Sequence, residues 1–526
     1  MAHDGRELEL KLAVDPASVR RLKAHLKGLL QGRYPVSVSL DSVYFDTPEH
    51  TLRANALALR LRRTGSGYVQ TIKAGEGRPI GIFDRSEWEQ PAAGYSAEHL
   101  LIKDTPVERV LGKQRLGSLR PVFQTRVRRT SYRLSRDGSP VEASLDEGYV
   151  EAGRQRCRLC ELELEWAGKH SHGATGKLFA LAKRLDRIVP MRLCLKDKAE
   201  RGYELIERQV ATGVPLAPIA LGRDTSNEEA FRIISRACLG EVIRNEPGML
   251  AGDGEALHQM RVALRRLRAA IGMFRQMVSD RQCLRIKAGL RWIMGELGAA
   301  RDLDVFMAEV LTPLRHRHAK DPGFLRTRRD FERDRRKAHE HAAIAVKSRR
   351  YRLLILETAE WIENGSWTRR GDHKSRRRRA KSVERYAVRK LERSWRKLKR
   401  GCNRLSDRSA LERHRLRIRA KKLRYAVEFF RGLFPRPRST RRCTTIVRRL
   451  KHLQDALGAL NDVVARESLA SRFALSLRRV RPVSDSVARA FSAGLIFGEE
   501  DARMAELLDT AESAYRDLLK VEPFWK

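Results

Sequence analysis

Long apolar runs, cysteines and aromatic residues are all scarce in this chain of 526 residues. No run approaches the ~18 apolar residues that can cross a bilayer, so we expect no membrane segment. The seven cysteines are scattered and odd in number, which excludes a disulfide framework and fits a reducing, cytoplasmic compartment. Aromatic residues make up only 6%, which argues against a nucleic-acid-binding surface built on base stacking.

Acidic residues are also few relative to basic ones. The chain has 65 Asp and Glu against 108 Lys and Arg, a formal net charge of +43. Such a surplus predicts a polyanionic partner. It is unevenly spread, because residues 1–210 carry a net charge of +10 and residues 211–526 carry +33. The two parts are therefore expected to have different functions.

The first part, to about residue 205, has the period-2 alternation of short β-strands. Its charged side chains share one face of each predicted strand and are largely sorted by sign, whereas a solvated sheet mixes polar side chains and both charges. Predicted helices with apolar stripes can cover the opposite, leucine-rich faces, so we expect a barrel with a charged lumen. The charged faces comprise Glu7, Glu9 and Lys11; Arg60 and Arg62; Thr71 and Lys73; Arg85, Glu87 and Glu89; Arg126 and Arg128; and Glu161, Glu163 and Glu165.

Opposed acidic and basic walls suit one kind of chemistry. Carboxylates hold a hard divalent cation through oxygen, while Arg and Lys bind the phosphoryl oxygens that the cation also contacts. Together they neutralise the charge of a phosphoryl-transfer transition state. The segment Gly173–Lys177 is not a Walker A loop, because Ser171 occupies the position of its first glycine.

At this point the chain resembles a known family. Glu7-Leu-Glu9-Leu-Lys11 is similar to the ExExK signature of the CYTH superfamily, the triphosphate tunnel metalloenzymes, and eight further motifs follow in the order of that family over residues 1–207. They are Tyr44-Phe-Asp46-Thr-Pro48, Leu59-Arg-Leu-Arg62, Thr71-Ile-Lys73, Arg85-Ser-Glu87, Thr125-Arg-Val-Arg128, Leu145-Asp-Glu-Gly148, Cys160-Glu-Leu-Glu-Leu-Glu165 and, closing the region, Lys198-Ala-Glu-Arg-Gly-Tyr203.

The resemblance implies an eight-stranded antiparallel β-barrel whose tunnel binds a triphosphate group with Mg²⁺ or Mn²⁺. It implies metal binding by Glu7, Glu9, Glu161 and Glu163, with Glu165 as a further candidate, and the expected catalytic residues are Glu9, Glu161, Lys11 and Arg60. Asp146, Glu87 and Glu89 could instead orient basic neighbours. The implied phosphate contacts are Lys11, Arg60, Arg62, Lys73, Arg85, Arg126, Arg128 and Lys198.

The second part is predicted to be helical from about residue 225, and it contains an internal duplication. The segment His258–Arg268 recurs as His414–Arg424, and Leu297–Asp304 recurs in part as Leu457–Asp462, which predicts two similar helical bundles. In each copy a basic stripe borders the apolar seam and lacks acidic residues, which indicates an anion-binding groove. The expected polyphosphate-binding residues are His258, Arg261, Arg265, Arg266, Arg268, His414, Arg417, Lys421, Lys422 and Arg424.

These repeats resemble the CHAD domain, an α-helical module associated with inorganic polyphosphate. The expected fold is multidomain α+β, with a tunnel domain at 1–207, a linker at 208–224 and a helical domain at 225–526 whose repeats span about 225–370 and 380–526. Inorganic polyphosphate is the expected partner, nucleic acid would bind only non-specifically, and association with polyphosphate granules stays open, as does the oligomeric state.

We therefore expect a metal-dependent inorganic triphosphatase that hydrolyses triphosphate to pyrophosphate and phosphate, with a polyphosphate-binding helical domain. Two alternatives stay open. One is an enzyme acting on an organic triphosphate, of the adenylate cyclase or thiamine triphosphatase type. The other is a non-catalytic adaptor that binds polyphosphate or nucleic acid.

Overall fold

The computed structural model describes most of the chain. It covers residues 3–525 with gaps at 31–33, 66, 76–79, 97–99, 101, 113–116, 137–138, 169–172, 208–212, 214–216, 314–321, 401–404, 406 and 477–503. Residues 208–212 and 214–216 of the predicted linker at 208–224 therefore lie outside the described residues.

The N-terminal region forms a closed eight-stranded antiparallel barrel. Its strands follow the order β5-β4-β3-β2-β6-β7-β8-β1, and pairing of β5 with β1 closes the barrel, while a short strand β9 (Met191–Leu193) extends from β1. The expected barrel is thus confirmed. The strands are β1 His3–Val14, β2 Val36–Asp46, β3 Leu57–Thr64, β4 Gly67–Ala74, β5 Ile82–Ala92, β6 Arg120–Arg136, β7 Ser139–Ala152 and β8 Gln155–Trp166.

Alternation along the strands separates an apolar outer face from a charged inner face. Leu10 and Leu12 of β1 are fully buried outside the barrel, in the cluster that also contains helices α1 (Val19–Gly28) and α4 (Ala174–Leu185). Two short helices, α2 (Thr51–Ala54) and α3 (Pro106–Leu111), lie in the cluster that covers β3. Helices therefore shield the leucine faces and leave the charged faces to line the lumen.

Helix α5 (Lys198–Ile206) closes part of one end of the barrel with an apolar plug. Tyr203 packs edge-on against Phe123 at a ring-centroid distance of 5.2 Å, and its hydroxyl donates to Asp46 at 2.6 Å. The helix approaches so closely that a Cβ at Gly202 would lie 2.3 Å from the Phe123 ring. The plug comprises Tyr44, Phe123, Val127, Val150, Ala152, Leu159, Ala199 and Tyr203.

The C-terminal region is helical, as expected. Its helices are α6 Asn227–Arg244, α7 Glu246–Leu250, α8 Gly254–Met273, α9 Arg275–Val278, α10 Arg281–Glu296, α11 Gly298–Phe306, α12 Pro322–Lys347, α13 Arg349–Asn364, α14 His373–Ala380, α15 Val383–Lys399, α16 Ala410–Phe430, α17 Pro437–Ser476 and α18 Met504–Leu519. A π-helical turn, Met307–Leu311, follows α11.

The two predicted repeats contact each other at equivalent positions, just before α6 and α15. Ser226 precedes α6, Ser382 precedes α15, and the two serines form an antiparallel bridge with each other. The backbone N–H groups of Asn227 and Val383 donate reciprocally to Lys381 and Thr225 at 2.9 Å. Equivalent positions that contact one another are the mark of a two-fold relation, so the sequence duplication is also visible in the fold.

The barrel and the helices share one apolar core that runs from Leu10 of β1 through Phe179 of α4 to Trp361 of α13. Polar contacts cross the same junction, where Arg352 donates to Asp186 at 2.6 Å and Arg192 of β9 donates to Glu246 of α7 at 2.5 Å. The two regions are therefore packed together. In the described part of the chain, no helix is both long enough and apolar enough to span a membrane.

Candidate active site

The first turn of α5 points a lysine into the barrel lumen. Asp197 caps this helix by accepting from the Glu200 backbone N–H at 2.8 Å, and it also accepts from Arg85 of β5 at 2.9 Å. Lys198 follows as the first helical residue and is buried. The cap and its arginine partner thus fix the point at which Lys198 enters the tunnel.

Lys198 lies among three buried carboxylates, which we call the carboxylate cluster: Asp146 of β7 and Glu161 and Glu163 of β8. Its Nζ lies 2.8 Å from Asp146 and 2.7 Å from each glutamate. Burial alone would lower the pKa of Lys198, but the three carboxylates raise that pKa well above its ordinary value. Despite burial, the pKa of Glu163 lies well below its usual range because Lys11, Lys198 and Arg129 surround it. The cluster is therefore anionic and holds a cation.

A second group of paired charges lines the neighbouring strands. Lys11 donates to Glu9 at 3.0 Å and also contacts Glu163, while Arg85 lies 2.7 Å from Glu9 and 3.3 Å from Glu7. Lys73 lies 2.7 Å from Glu7 and 3.1 Å from Glu87. Acidic and basic side chains thus alternate across the lumen, and the basic ones are fixed before any ligand binds.

These charged walls enclose a cavity of about 220 Å³. Burial, with the like charges of Arg60 and Arg129, lowers the pKa of Arg62 to about 10, so this guanidinium lacks a sufficient counter-charge. Burial, with Glu7 and Glu9, raises the pKa of Glu165 to about 7. An anion bound in the cavity would relieve the repulsion among the cations.

The structure brings together most of the residues predicted for this site. Glu9 and Glu161 are buried in the wall behind the cavity and paired with its cations. Glu89 also lies in the lumen and accepts from Thr71 at 2.9 Å. The predicted residues that line the cavity itself are Glu7, Lys11, Arg60, Arg62, Thr71, Lys73, Arg85, Glu87, Glu89, Glu163, Glu165 and Lys198.

The expectation that Arg126 and Arg128 point into the lumen is wrong. Both are exposed on the outer face of β6, and the Arg126 side chain retains 63% of its accessible surface. In this strand the side chains of odd-numbered residues point into the barrel. Phe123 and Val127 pack into the plug, and Arg129 lines the cavity. Successive side chains of a strand point to opposite faces, so an assignment that is shifted by one residue puts every side chain on the wrong face.

Sequence reasoning missed four residues of the site. Arg129 donates two hydrogen bonds to Asp146, Arg201 contacts Glu161 at 3.3 Å, Asp197 holds Arg85, and Tyr44 lines the cavity. The apolar pattern of Phe123 and Val127 was the signal that could have identified Arg129. At Gly148 of β7 a Cβ would lie 2.0 Å from the Arg126 carbonyl oxygen, so glycine is required beside this part of β6.

In the helical region, the two duplicated motifs meet in the same way in each repeat. Arg261 of α8 lies over Gly298 and donates to the Met294 carbonyl at 2.9 Å. Arg417 of α16 lies over Gly458, where a Cβ would be 3.1 Å from its Nη2. Each Leu-Gly segment therefore provides a floor for the basic stripe beside it.

The remaining predicted stripe residues differ in their surroundings. Arg268 lies 3.2 Å from the Met294 sulfur, and the half-buried His258 has a lowered pKa because of burial and the nearby Arg301. Arg265 is partly buried, as is Lys421, whereas His414 and Lys422 are exposed.

An acidic residue from outside the duplicated motifs contacts both stripes. Glu428 of α16 lies between the repeats, where it pairs with Arg266 of α8 and lies 3.6 Å from Arg424. Two of the ten predicted residues thus share a carboxylate.

Comparisons with known proteins follow this division. A family model described as CYTH domain matches residues 5–203, and one described as CHAD domain matches residues 233–471. An inorganic triphosphatase of Haemophilus influenzae is 27% identical over 213 residues, which is 39% of this chain and 57% of that protein, so the similarity spans little more than half of that relative.

Two further matches extend over the helical region. An uncharacterised protein of Mycobacterium tuberculosis is 24% identical over 547 residues, covering 98% of this chain and 96% of that one. The crystal structure of the CHAD domain from the plant Ricinus communis matches with a TM-score of 0.50 and 27% identity, over 59% of this chain and 98% of that one.

Proposed function

The chain belongs to the CYTH family over residues 5–203 and to the CHAD family over residues 233–471, and on that premise we propose that it is a metal-dependent inorganic triphosphatase. The barrel hydrolyses triphosphate to pyrophosphate and phosphate, and the helical region binds inorganic polyphosphate. The similarity to the inorganic triphosphatase of Haemophilus influenzae supports the choice of substrate.

The observation that carries this proposal is the charged cavity between the cationic wall and the carboxylate cluster. Its volume of about 220 Å³ lies below the roughly 300 Å³ at which pockets for drug-sized ligands begin. Arginine and lysine line it from β1, β3, β4, β5 and β6. A small, highly charged anion fits both the size and the charge of this space.

The carboxylate cluster also fits a metal ion. Its oxygens lie within 4.8 Å of one another, and hard divalent cations prefer such donors. The Lys198 ammonium already lies among these oxygens, so the cluster accepts a compact cation. We assign Asp146, Glu161 and Glu163 as ligands of Mg²⁺ or Mn²⁺, which would polarise phosphoryl oxygens and water there. Glu7, Glu9 and Glu165 are further candidate ligands.

The protein's own side chains bind and orient the substrate. Lys11, Arg60 and Arg129 hold phosphoryl oxygens and offset the charge that develops during phosphoryl transfer. A metal held by the cluster would take the place of the Lys198 ammonium, which now lies 2.7 Å from Glu161 and from Glu163, and would free it to contact phosphate. Glu9 fixes Lys11 and Arg85, so these cations are held in place before substrate arrives.

Phosphate release by the full chain tests the proposal. Triphosphate, ATP and thiamine triphosphate are supplied in turn, with Mg²⁺, with Mn²⁺ and with chelator. We expect hydrolysis of triphosphate that requires metal and exceeds the rate on either organic substrate. Faster turnover of an organic triphosphate would change the substrate, and turnover of none would support an adaptor.

Polyphosphate binding is proposed for the two basic stripes. It is supported by Arg261 and Arg417, which lie over equivalent glycines in the two repeats. The test is displacement of labelled long-chain polyphosphate from the full chain at physiological salt. We expect unlabelled polyphosphate to compete far better than duplex DNA at equal phosphate concentration, and equal competition would contradict specific recognition.

A further inference from the structure

A second, larger space lies between the tunnel mouth and α6, and we call it the interdomain cleft. Its volume is about 990 Å³, at the upper end of the range for ligand sites. Ile82 and Phe83 of β5 line it from the barrel, and Ile233 of α6 lines it from the helical side. It shares Lys73, Arg85 and Asp197 with the tunnel cavity, so the two spaces adjoin.

The charge of the interdomain cleft is opposite to that of the protein. Outside the shared tunnel residues its arginines are Arg53, Arg236 and Arg244, and all three are already paired. Arg53 pairs with Glu207, Arg236 donates to Glu363 at 2.7 Å, and Arg244 lies 3.2 Å from Glu241. Its acidic side chains are Asp84, Glu200, Glu229, Glu241 and Glu363. Acidic groups thus exceed basic ones on a wall of a chain whose net charge is +43.

Glu241 is the most informative residue of this wall. It is only 2% exposed, yet its Oε1 has no hydrogen-bond partner among the residues that the structure describes. A buried carboxylate oxygen without a donor is costly, so it indicates a donor that binds there. Burial, together with Asp197 and Glu204, raises the pKa of Glu200, which agrees with a surplus of negative charge.

We propose that the interdomain cleft binds an organic cation with several amine groups on an aliphatic chain. Ammonium groups would donate to Glu241 and lie near Glu229, while methylene groups would cover Ile82 and Ile233. A small inorganic cation would leave this apolar surface exposed to water. A polyphosphate chain would be repelled, so the helical region does not pass long chains to the tunnel through this cleft.

Binding in the interdomain cleft would influence the tunnel. An ammonium group near Lys73, Arg85 and Asp197 adds positive charge next to the space proposed for triphosphate, and opposite charges at adjoining sites favour one another. Thermodynamic linkage makes the effect reciprocal. If KM reports the affinity for triphosphate, the bound cation lowers KM by the same factor by which bound triphosphate lowers the Kd of the cation. The effect on KM, which we call the kinetic arm, rests on the proposed function. The binding of the cation itself, the binding arm, does not.

Calorimetric titration of the full chain with spermidine at physiological salt tests the binding arm. We expect saturable binding that Glu241→Gln and Glu229→Gln each weaken by about five- to tenfold, the effect of one charged contact. Glu229 is exposed, so its substitution does not threaten folding. The matched control is Glu228→Gln, which makes the same charge change one residue earlier and faces Arg232 and Arg379 instead.

Three results would overturn the proposal: no spermidine binding, equal weakening by all three variants, or displacement of spermidine by Mg²⁺ alone at comparable concentration. In the kinetic arm, spermidine should lower KM in the wild type but not in Glu229→Gln. An equal effect in both would mean that spermidine pairs with triphosphate in solution. Absence of triphosphate hydrolysis would refute the proposed function without affecting the titration.

Discussion

Arg129 and Asp146 form a two-point contact across adjacent strands, with Nε to Oδ1 at 2.8 Å and Nη2 to Oδ2 at 2.7 Å. Asp146 is fully buried, and the same guanidinium also contacts Glu163. Arg129 therefore ties the cationic wall of the tunnel to the carboxylate cluster. Its neighbour Arg128 lies exposed on the outside of the same strand, so the two adjacent arginines form a natural pair for comparison.

Lysine substitution at each arginine should separate their contributions. In Arg129→Lys the charge remains but the planar fork is lost, so we expect kcat/KM for triphosphate to fall by about tenfold or more. Arg128→Lys should change it by less than about twofold, since the residue does not line the cavity. Steady-state phosphate release measures both, and equal effects would contradict the inward phase of β6.

The sequence predicted the barrel because charged and apolar residues alternate along most strands. It predicted the lumen correctly where leucines mark the outer face, as Leu59 and Leu61 do beside Arg60. In β6 the outer face instead carries Arg126 and Arg128, and the inward apolar residues belong to the plug under α5. Which side chains of β6 point inward therefore depends on packing against Tyr203. The alternation of charged and apolar residues along the strand does not reveal this packing.

Contacts between segments that are distant in the chain could not be predicted from the sequence either. Glu428 lies outside both duplicated motifs, and it reaches Arg266 because α8 and α16 pack against each other. Asp186 and Arg352 are separated by 166 positions and meet in the junction of barrel and helices. Nothing in the spacing of these residues indicates their pairing.

The carboxylate cluster can be tested by neutralising one ligand. Glu161→Gln keeps the shape of a side chain that is fully buried, but it removes charge from the proposed metal site. We expect metal-dependent triphosphate hydrolysis to fall by about 100-fold or more, with a higher metal requirement. The control is Glu147→Gln, since Glu147 pairs with Lys23 outside the tunnel. Near-normal turnover of Glu161→Gln with unchanged metal dependence would refute the assignment.

The buried pair at the junction should be important for stability. In Arg352→Met, Asp186 loses its 2.6 Å partner while staying buried, so we expect the free energy of unfolding to fall by about 3–5 kcal/mol. Lys183→Met, which removes a partly exposed pair with Glu360, should change it by less than about 1 kcal/mol. Denaturant titration measures both. Adding Asp186→Leu to Arg352→Met should recover part of the loss, and no recovery would show that the charge is not its cause.

The lowered pKa of His258 predicts pH-dependent polyphosphate binding. Burial and Arg301 favour the neutral imidazole in the free protein, whereas a bound polyanion favours the protonated form. Binding therefore takes up a proton, and affinity should rise as the pH falls below about 6.5, by up to about tenfold per unit. Binding titrations from pH 8 to pH 5 should show a smaller rise for His258→Gln. An unchanged profile would remove His258 from the binding surface.

Glu428 should lower the affinity for polyphosphate, because it pairs with Arg266 and lies near Arg424 at the boundary of the two stripes. Glu428→Gln releases both guanidiniums to bind phosphate. We therefore expect affinity for long-chain polyphosphate to rise by about three- to tenfold at physiological salt and the slope of log K against log salt to steepen by about one unit. Glu412→Gln makes the same charge change on α16, where Glu412 pairs with Arg408, and glutamine can retain the capping box with Ser409. If the two variants gain affinity equally, the effect comes from net charge alone. If Glu428→Gln gains none, the two arginines do not contact the chain.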